Sequence, residues 1–419
     1  MKKIKKFLRS FYGRVLLLAL FVRFLLMPFI FHPDIKSHHF HFYFLSQGVF
    51  NIYEFLASNV QNLPYTDTFN YPPLVYFVFG AVQFLLKPFL GGGFIGWIFD
   101  WGPGRLANPE IFRYLFILKI PYLILDIVTA FLLTCFFKEK KQKQKIFLFW
   151  LFNPVVLYSI YGLASFDILP SLFVLWSVFL VLKKRPMLGG LILGLAAAFK
   201  TYPLLLLPFL AIFGAKDTKT RLKIFILGLV PYFLTCLPFL GSTPFRESVL
   251  LSGLSQRLFL AAIPIGFGEN LIIFVAALTF LFFLALRFAS SLSHPEEKII
   301  PFFLAVLLLV FGLSHFHPQW IVWILPFLTI LLVKKPSLFF AQVVFYLSFL
   351  AVVFLLNDRA QLFGLLTPIN LDFSEMPSIF EILRDKKIID PFLVQSLFHS
   401  LLAGTALWLG WQILKEKNE

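Results

Sequence analysis

A single carboxylate and a few scattered cations carry most of the chemistry this sequence can offer. Asp34 lies in His32-Pro33-Asp34-Ile35-Lys36-Ser37-His38-His39-Phe40-His41, directly after the first apolar stretch. It can serve as a base, and it reads equally well as a solvated loop acid. Four histidines around an aspartate suggest a metal site, yet His38, His39 and His41 do not fit one ligand geometry. Lys200 closes the apolar run Leu191–Phe199 and precedes Thr201-Tyr202-Pro203. A lysine so placed can snorkel to the bilayer surface or offer a cation to an anionic ligand. His315, His317 and Gln319 fall in Ser314-His315-Phe316-His317-Pro318-Gln319-Trp320, and Arg246 and Arg257 in a separate loop. Asp167 ends Tyr161-Gly162-Leu163-Ala164-Ser165-Phe166-Asp167, where a helix cap is the plain alternative. Tyr71 sits in Asn70-Tyr71-Pro72-Pro73-Leu74, with two prolines that fix an extended entry to a helix. Polar groups held against a bilayer are costly, so each is a functional candidate. One potential base and several cationic donors at one leaflet suit group transfer from an anionic lipid.

The elements that must position these residues are membrane helices. Of 419 residues 59% are apolar and 14% charged, against roughly 25% charged in a soluble domain. Fifty-eight phenylalanines and a mean hydropathy of +0.85 exclude a soluble globule, a disordered chain and a disulfide scaffold. The two cysteines, Cys135 and Cys236, lie in apolar segments and are expected to pack. Lys2-Lys3-Ile4-Lys5-Lys6 precedes a long apolar stretch with no small-residue cleavage site, which reads as a retained anchor. The net charge of +16 sits in short clusters between apolar runs, such as Lys138–Lys145, Lys183-Lys184-Arg185 and Lys334-Lys335. This is the pattern of the positive-inside rule and points away from nucleic acid.

That rule places the N-terminus in the cytoplasm and loops 32–72, 241–269, 314–319 and 357–391 on the far side. Residues 187–213, between two basic clusters, are too few for two crossings of about 20 residues each. They predict a hairpin of two short helices with its tip near Lys200–Pro203. The region 74–137 admits two readings: 91–101 makes an additional crossing, or 74–90 does not pass fully through. The expected fold is all-α, a polytopic transmembrane bundle of about 12–14 segments with a long extracytoplasmic first loop carrying short juxtamembrane helices. Residues 1–335 are expected to form one module, and 336–419 a C-terminal transmembrane hairpin. The setting is the cytoplasmic (inner) membrane, with the site extracytoplasmic.

These motifs resemble the GT-C superfamily of multi-spanning glycosyltransferases that use polyprenyl-phosphate sugars. The likeness is closest to the bacterial mannosyltransferases and to the dolichyl-phosphate-glucose-dependent glucosyltransferases, and it covers about residues 10–335. It rests on Asp34 after the first span, Tyr71-Pro72-Pro73-Leu74, the turn from Gly162 to Asp167, Phe199-Lys200-Thr201-Tyr202-Pro203 and His317-Pro318-Gln319-Trp320. Many relatives carry two adjacent acids in the first loop, where Asp34 here stands alone. Proline also follows His317 where an acid is usual.

The resemblance implies transfer of a hexose, mannose favoured, from a polyprenyl-phosphate donor to a glycan or glycolipid acceptor. Asp34 would be the general base of an inverting displacement. Lys200, His317, His315, Arg257 and Tyr71 would bind the donor phosphate, and Asp167, Tyr202 and Gln319 would shape the acceptor pocket. No cofactor is implied and no metal ligand assigned, although a divalent ion among Asp34, His38, His41 and Glu54 is left open. Membrane lipid is the remaining expected partner. The rival readings are a lipid-linked glycan polymerase or ligase, and a transporter or flippase, for which broken helices are typical.

Overall fold

The protein is described here by a computed structural model covering residues 2–102 and 106–415. It is 75% helical. Among these residues the only sheet is an antiparallel hairpin of Ala262–Gly266 and Glu269–Ile272. Seven helices among the described residues are long and apolar enough to cross a membrane: Phe11–Phe29, Pro73–Leu90, Ile111–Thr134, Thr218–Phe239, Ile273–Ser291, Pro336–Phe354 and Pro391–Leu414. Lys140–Leu151 and Pro154–Gly162, bent by 44°, make an eighth if they count as one span. The chain is an all-α polytopic bundle and an integral membrane protein.

Length separates two kinds of helix. Nineteen residues reach about 28 Å at 1.5 Å per residue, close to the roughly 30 Å hydrocarbon core. The shorter apolar helices Ile168–Leu182, Pro186–Ala197, Pro203–Gly214 and Leu325–Lys334 fall short of that. Pro203–Gly214 and Leu325–Lys334 are buried along most of their length, as expected of helices that are apolar all round. The first span instead leaves Leu17, Leu18, Phe21 and Phe24 exposed, a surface for lipid. Residues 91–101 contain the six-residue helix Phe94–Phe99, about 9 Å long and too short to cross a bilayer.

The helices gather into two compact units. The first comprises Met1–Phe69, Val75–Ile168 and Leu350–Gln395. A fully buried ion pair lies at its centre, with Arg23 Nε 2.6 Å from Asp126 Oδ2. Trp150 Nε1 donates to Asp126 Oδ1 at 2.7 Å and the Tyr161 hydroxyl to Oδ2 at 2.8 Å. The carboxylate thus accepts from three side chains, the kind of satisfaction a buried charge requires. Lys119, also fully buried, donates to the carbonyls of Met27 (3.1 Å) and Ile30 (2.5 Å). These belong to the end of the first span, where helix carbonyls lack intrahelical partners.

The second unit comprises Asn70–Leu74, Leu169–Phe349 and Ser396–Glu419. Its hairpin helices Pro186–Ala197 and Pro203–Gly214 match the expected pair of short helices. Each begins with proline at its first position, where the missing N–H costs nothing. Gly194 lets the first of them meet the span Thr218–Phe239 closely, since a Cβ there would overlap the Gly228 carbonyl.

Candidate functional site

Within the second unit, the turn between the hairpin helices presents Lys200 to a cavity of about 270 Å³. The ammonium lies 4.6 Å from the centre of the Tyr71 ring and 5.9 Å from that of Trp323, within range of attraction by both π faces. Pro72 and Pro73 follow Tyr71 and restrict its backbone to extended conformations. The opposite wall comes from the 3₁₀ turn Pro318–Trp323. Three residues per turn place side chains i and i+3 over one another. Trp320 and Trp323 accordingly stack, with ring centres 4.8 Å apart. Tyr202 stacks on Trp323 at 4.1 Å and 7°. Its hydroxyl lies 3.4 Å from Ser171 Oγ, which donates to the Val322 carbonyl. The result is a stack of three near-parallel aromatic rings beside a cation.

The remaining sites expected in this unit lie near that turn in sequence or in the neighbouring loop. His317 precedes the 3₁₀ turn as its N-cap residue without a side-chain cap bond, and Gln319 is buried within the turn. Arg257 adjoins Leu258 and Phe259, which line the cavity. Burial pulls the Arg257 pKa down. It also lowers that of His315, with the charge of Arg257 adding to the effect. His315 and Arg257 are therefore electrostatic neighbours.

The other expected site residues belong to the first unit. Asp34 occupies the first turn of helix Pro33–Tyr43, where a carboxylate is favoured by the helix dipole. One of its oxygens is 3.5 Å from His32 Nδ1. Asp167 is buried, and its backbone N–H donates to Ser165 Oγ at 3.2 Å. The histidines of this helix take separate partners. His39 Nδ1 meets Gln83 Oε1 at 2.7 Å, His41 Nε2 meets the Asp67 carbonyl at 3.2 Å, and His38 packs edge-on against Phe166. Burial lowers the pKa of His39 and of His41 to about 4, so both are neutral near pH 7. Among the described residues, no group of three or more His, Cys, Asp or Glu side chains is placed to hold a metal.

Arg23, Asp126, Lys119 and Gln83 were not among the candidates drawn from sequence. The signal for the first three was present, since each is a lone charge inside an apolar run.

The family model described as GPI transamidase subunit PIG-U matches residues 17–319, well over half of the chain. This chain belongs to the PIG-U family. No curated protein matches it. PIG-U is a polytopic membrane family distantly related to GT-C-like glycosyltransferases, which accounts for the shared order of motifs. Membership overturns the expected hexosyltransferase, because the family is described as a subunit of a transamidase, which joins protein to lipid. The inverting sugar transfer, the polyprenyl-phosphate donor and the glycan acceptor fall with it, and the polymerase, ligase and transporter readings fit the family no better. The motifs fix backbone features, namely a capped helix start, a proline-led entry and a hairpin turn. A related fold can keep those features without the reaction, so they misled as markers of chemistry.

Proposed function

We propose that this chain is a membrane subunit of an assembly that joins a glycosylphosphatidylinositol to protein, and that its own part is to hold the glycolipid. The observation that carries the reading is the Lys200 cavity, in which a cation rests against ring faces beside the stacked Tyr202, Trp323 and Trp320. Flat aromatic faces receive the C–H faces of sugars, and an ammonium pairs with a phosphodiester. A glycosylated phosphoinositide carries both groups. The volume of about 270 Å³ falls just below the roughly 300–1,000 Å³ of small-molecule sites, which suits only part of a headgroup. A holding role is also consistent with the cysteines. Cys135 Sγ donates to the Phe131 carbonyl, and Cys236 is buried beside Tyr232 and Thr235, whereas a thiol nucleophile needs an adjacent base. The basic clusters support a cytoplasmic N-terminus, with the Lys200 turn on the far side of the membrane.

The test is binding of radiolabelled glycosylphosphatidylinositol to the purified chain in nanodiscs, with unglycosylated phosphatidylinositol as competitor. Wild type should bind the glycolipid in preference to the competitor, and Lys200→Met should weaken binding at least about tenfold. Undiminished binding by Lys200→Met overturns the site. No binding by wild type overturns the holding role.

A further inference from the structure

A second cavity, of about 650 Å³, lies wholly within the first unit against the span Pro73–Leu90. Its size falls inside the roughly 300–1,000 Å³ typical of small-molecule sites. Gly80, Gln83 and Lys87 all line it, and their spacing of three and four residues places them on one helix face. They form a graded stripe. Gly80 lies deepest and has no side chain; a Cβ there would press on Leu45 at 2.6 Å. Gln83 comes next and is only 6% exposed. Lys87 lies in the last turn, is exposed, and sits where a lysine can reach the bilayer surface.

The Gln83 amide is oriented from behind. An amide oxygen can only accept, so His39 Nδ1–H donates to Gln83 Oε1 at 2.7 Å. The Gln83 side chain lies on the cavity wall, with its –NH2 group as the donor it can offer there. The flanking residues Phe84, Leu85 and Phe89 are exposed apolar side chains on a helix long and apolar enough to cross a membrane, so the cavity opens towards lipid.

We propose that this cavity binds one anionic phospholipid drawn from the bilayer. An acyl chain lies beside Gly80 and Phe42, a glycerol-ester carbonyl accepts from the Gln83 amide, and the phosphate sits at Lys87. The order of groups along the helix is the order along the lipid. Gln83 and Lys87 are about 6 Å apart along the axis, a separation that the glycerol segment bridges. This site is independent of the Lys200 cavity and of the function proposed for it.

The experiment is native mass spectrometry of the full chain released from nanodiscs of equal phosphatidylglycerol and phosphatidylcholine. Wild type should retain one phosphatidylglycerol in preference to phosphatidylcholine. Lys87→Gln and Gln83→Glu should each lower its occupancy about tenfold. Gln83→Glu keeps an acceptor for His39 and replaces only the donor that faces the lipid. Should that variant fail to fold, Lys87→Gln decides alone, because Lys87 is exposed. Equal retention of the two lipids, no retained lipid, or undiminished phosphatidylglycerol in Lys87→Gln overturns the proposal.

Discussion

Two charged sites, one in each unit, hold their charge in opposite ways. In the first, the Asp126 carboxylate accepts from Arg23, Trp150 and Tyr161, with both members of the ion pair at 0% exposure. In the second, the Lys200 ammonium rests on the faces of Tyr71 and Trp323 at the wall of a cavity. A carboxylate saturated by three directional donors is a structural clamp with no room for a ligand. A cation against ring faces at a cavity wall is attracted by the ring quadrupoles without being neutralised by them, so its charge still favours an anion in the cavity. Burial of charge alone therefore does not mark a binding site; the type of partner does.

The largest effect should come from breaking the clamp. Asp126→Asn leaves Arg23 buried without its counter-charge and sets an amide –NH2 among three donors. It should destabilise the protein by about 3–5 kcal/mol, measured by reversible unfolding in mixed micelles. The double variant Arg23→Leu/Asp126→Leu should recover most of that loss. A smaller loss accompanies acidification. Buried and neutral, His39 has a folded pKa of about 4, below the ordinary value of about 6.5. Its contribution is full above pH 6.5 and is lost as pH falls through 4. Between pH 7 and pH 4, His39→Gln should therefore lose about 3 kcal/mol less stability than wild type.

Lys200→Met should cost about 1 kcal/mol or less in stability, the scale of a cation–π contact, while glycolipid binding falls. A loss of stability as large as that of Asp126→Asn would erase the contrast between the units. The smallest effect concerns an exposed pair. Arg359 holds the Glu381 carboxyl down to about 2 through side-chain hydrogen bonds, and Glu381 also caps the helix Ile379–Asp385. That support is present above the ordinary carboxyl pKa of about 4.3 and is lost as pH falls through 2. Hydrogen exchange should quicken in this helix alone, without a separate global transition.

The membrane class and the short-helix hairpin at Lys200 were legible because composition and the spacing of basic clusters are local signals. Pro186 and Pro203 mark the starts of both hairpin helices in the sequence itself. The aromatic wall was less legible. Trp320 and Trp323 look like ordinary apolar residues until the segment is known to be a 3₁₀ turn, which stacks them. The Arg23–Asp126 pair joins residues 103 apart, and no local pattern indicates that two charges in separate spans will meet. Asp34 is ambiguous in the sequence for the opposite reason. Its helix-capping surroundings look the same whether or not a substrate is attacked nearby, so a motif shared with glycosyltransferases did not distinguish a transferase from a relative with another task.

Lys119 has a bearing on biogenesis. The first span ends with the carbonyls of Met27 and Ile30 turned to a lysine 92 and 89 residues downstream. During synthesis that span enters the membrane long before its cap has left the ribosome. Until the segment Ile111–Thr134 arrives, those carbonyls must accept from water or lipid headgroups. The first and third full-length spans are consequently completed as a pair, and a chain truncated before residue 119 should hold its first helix at a shallower, hydrated depth.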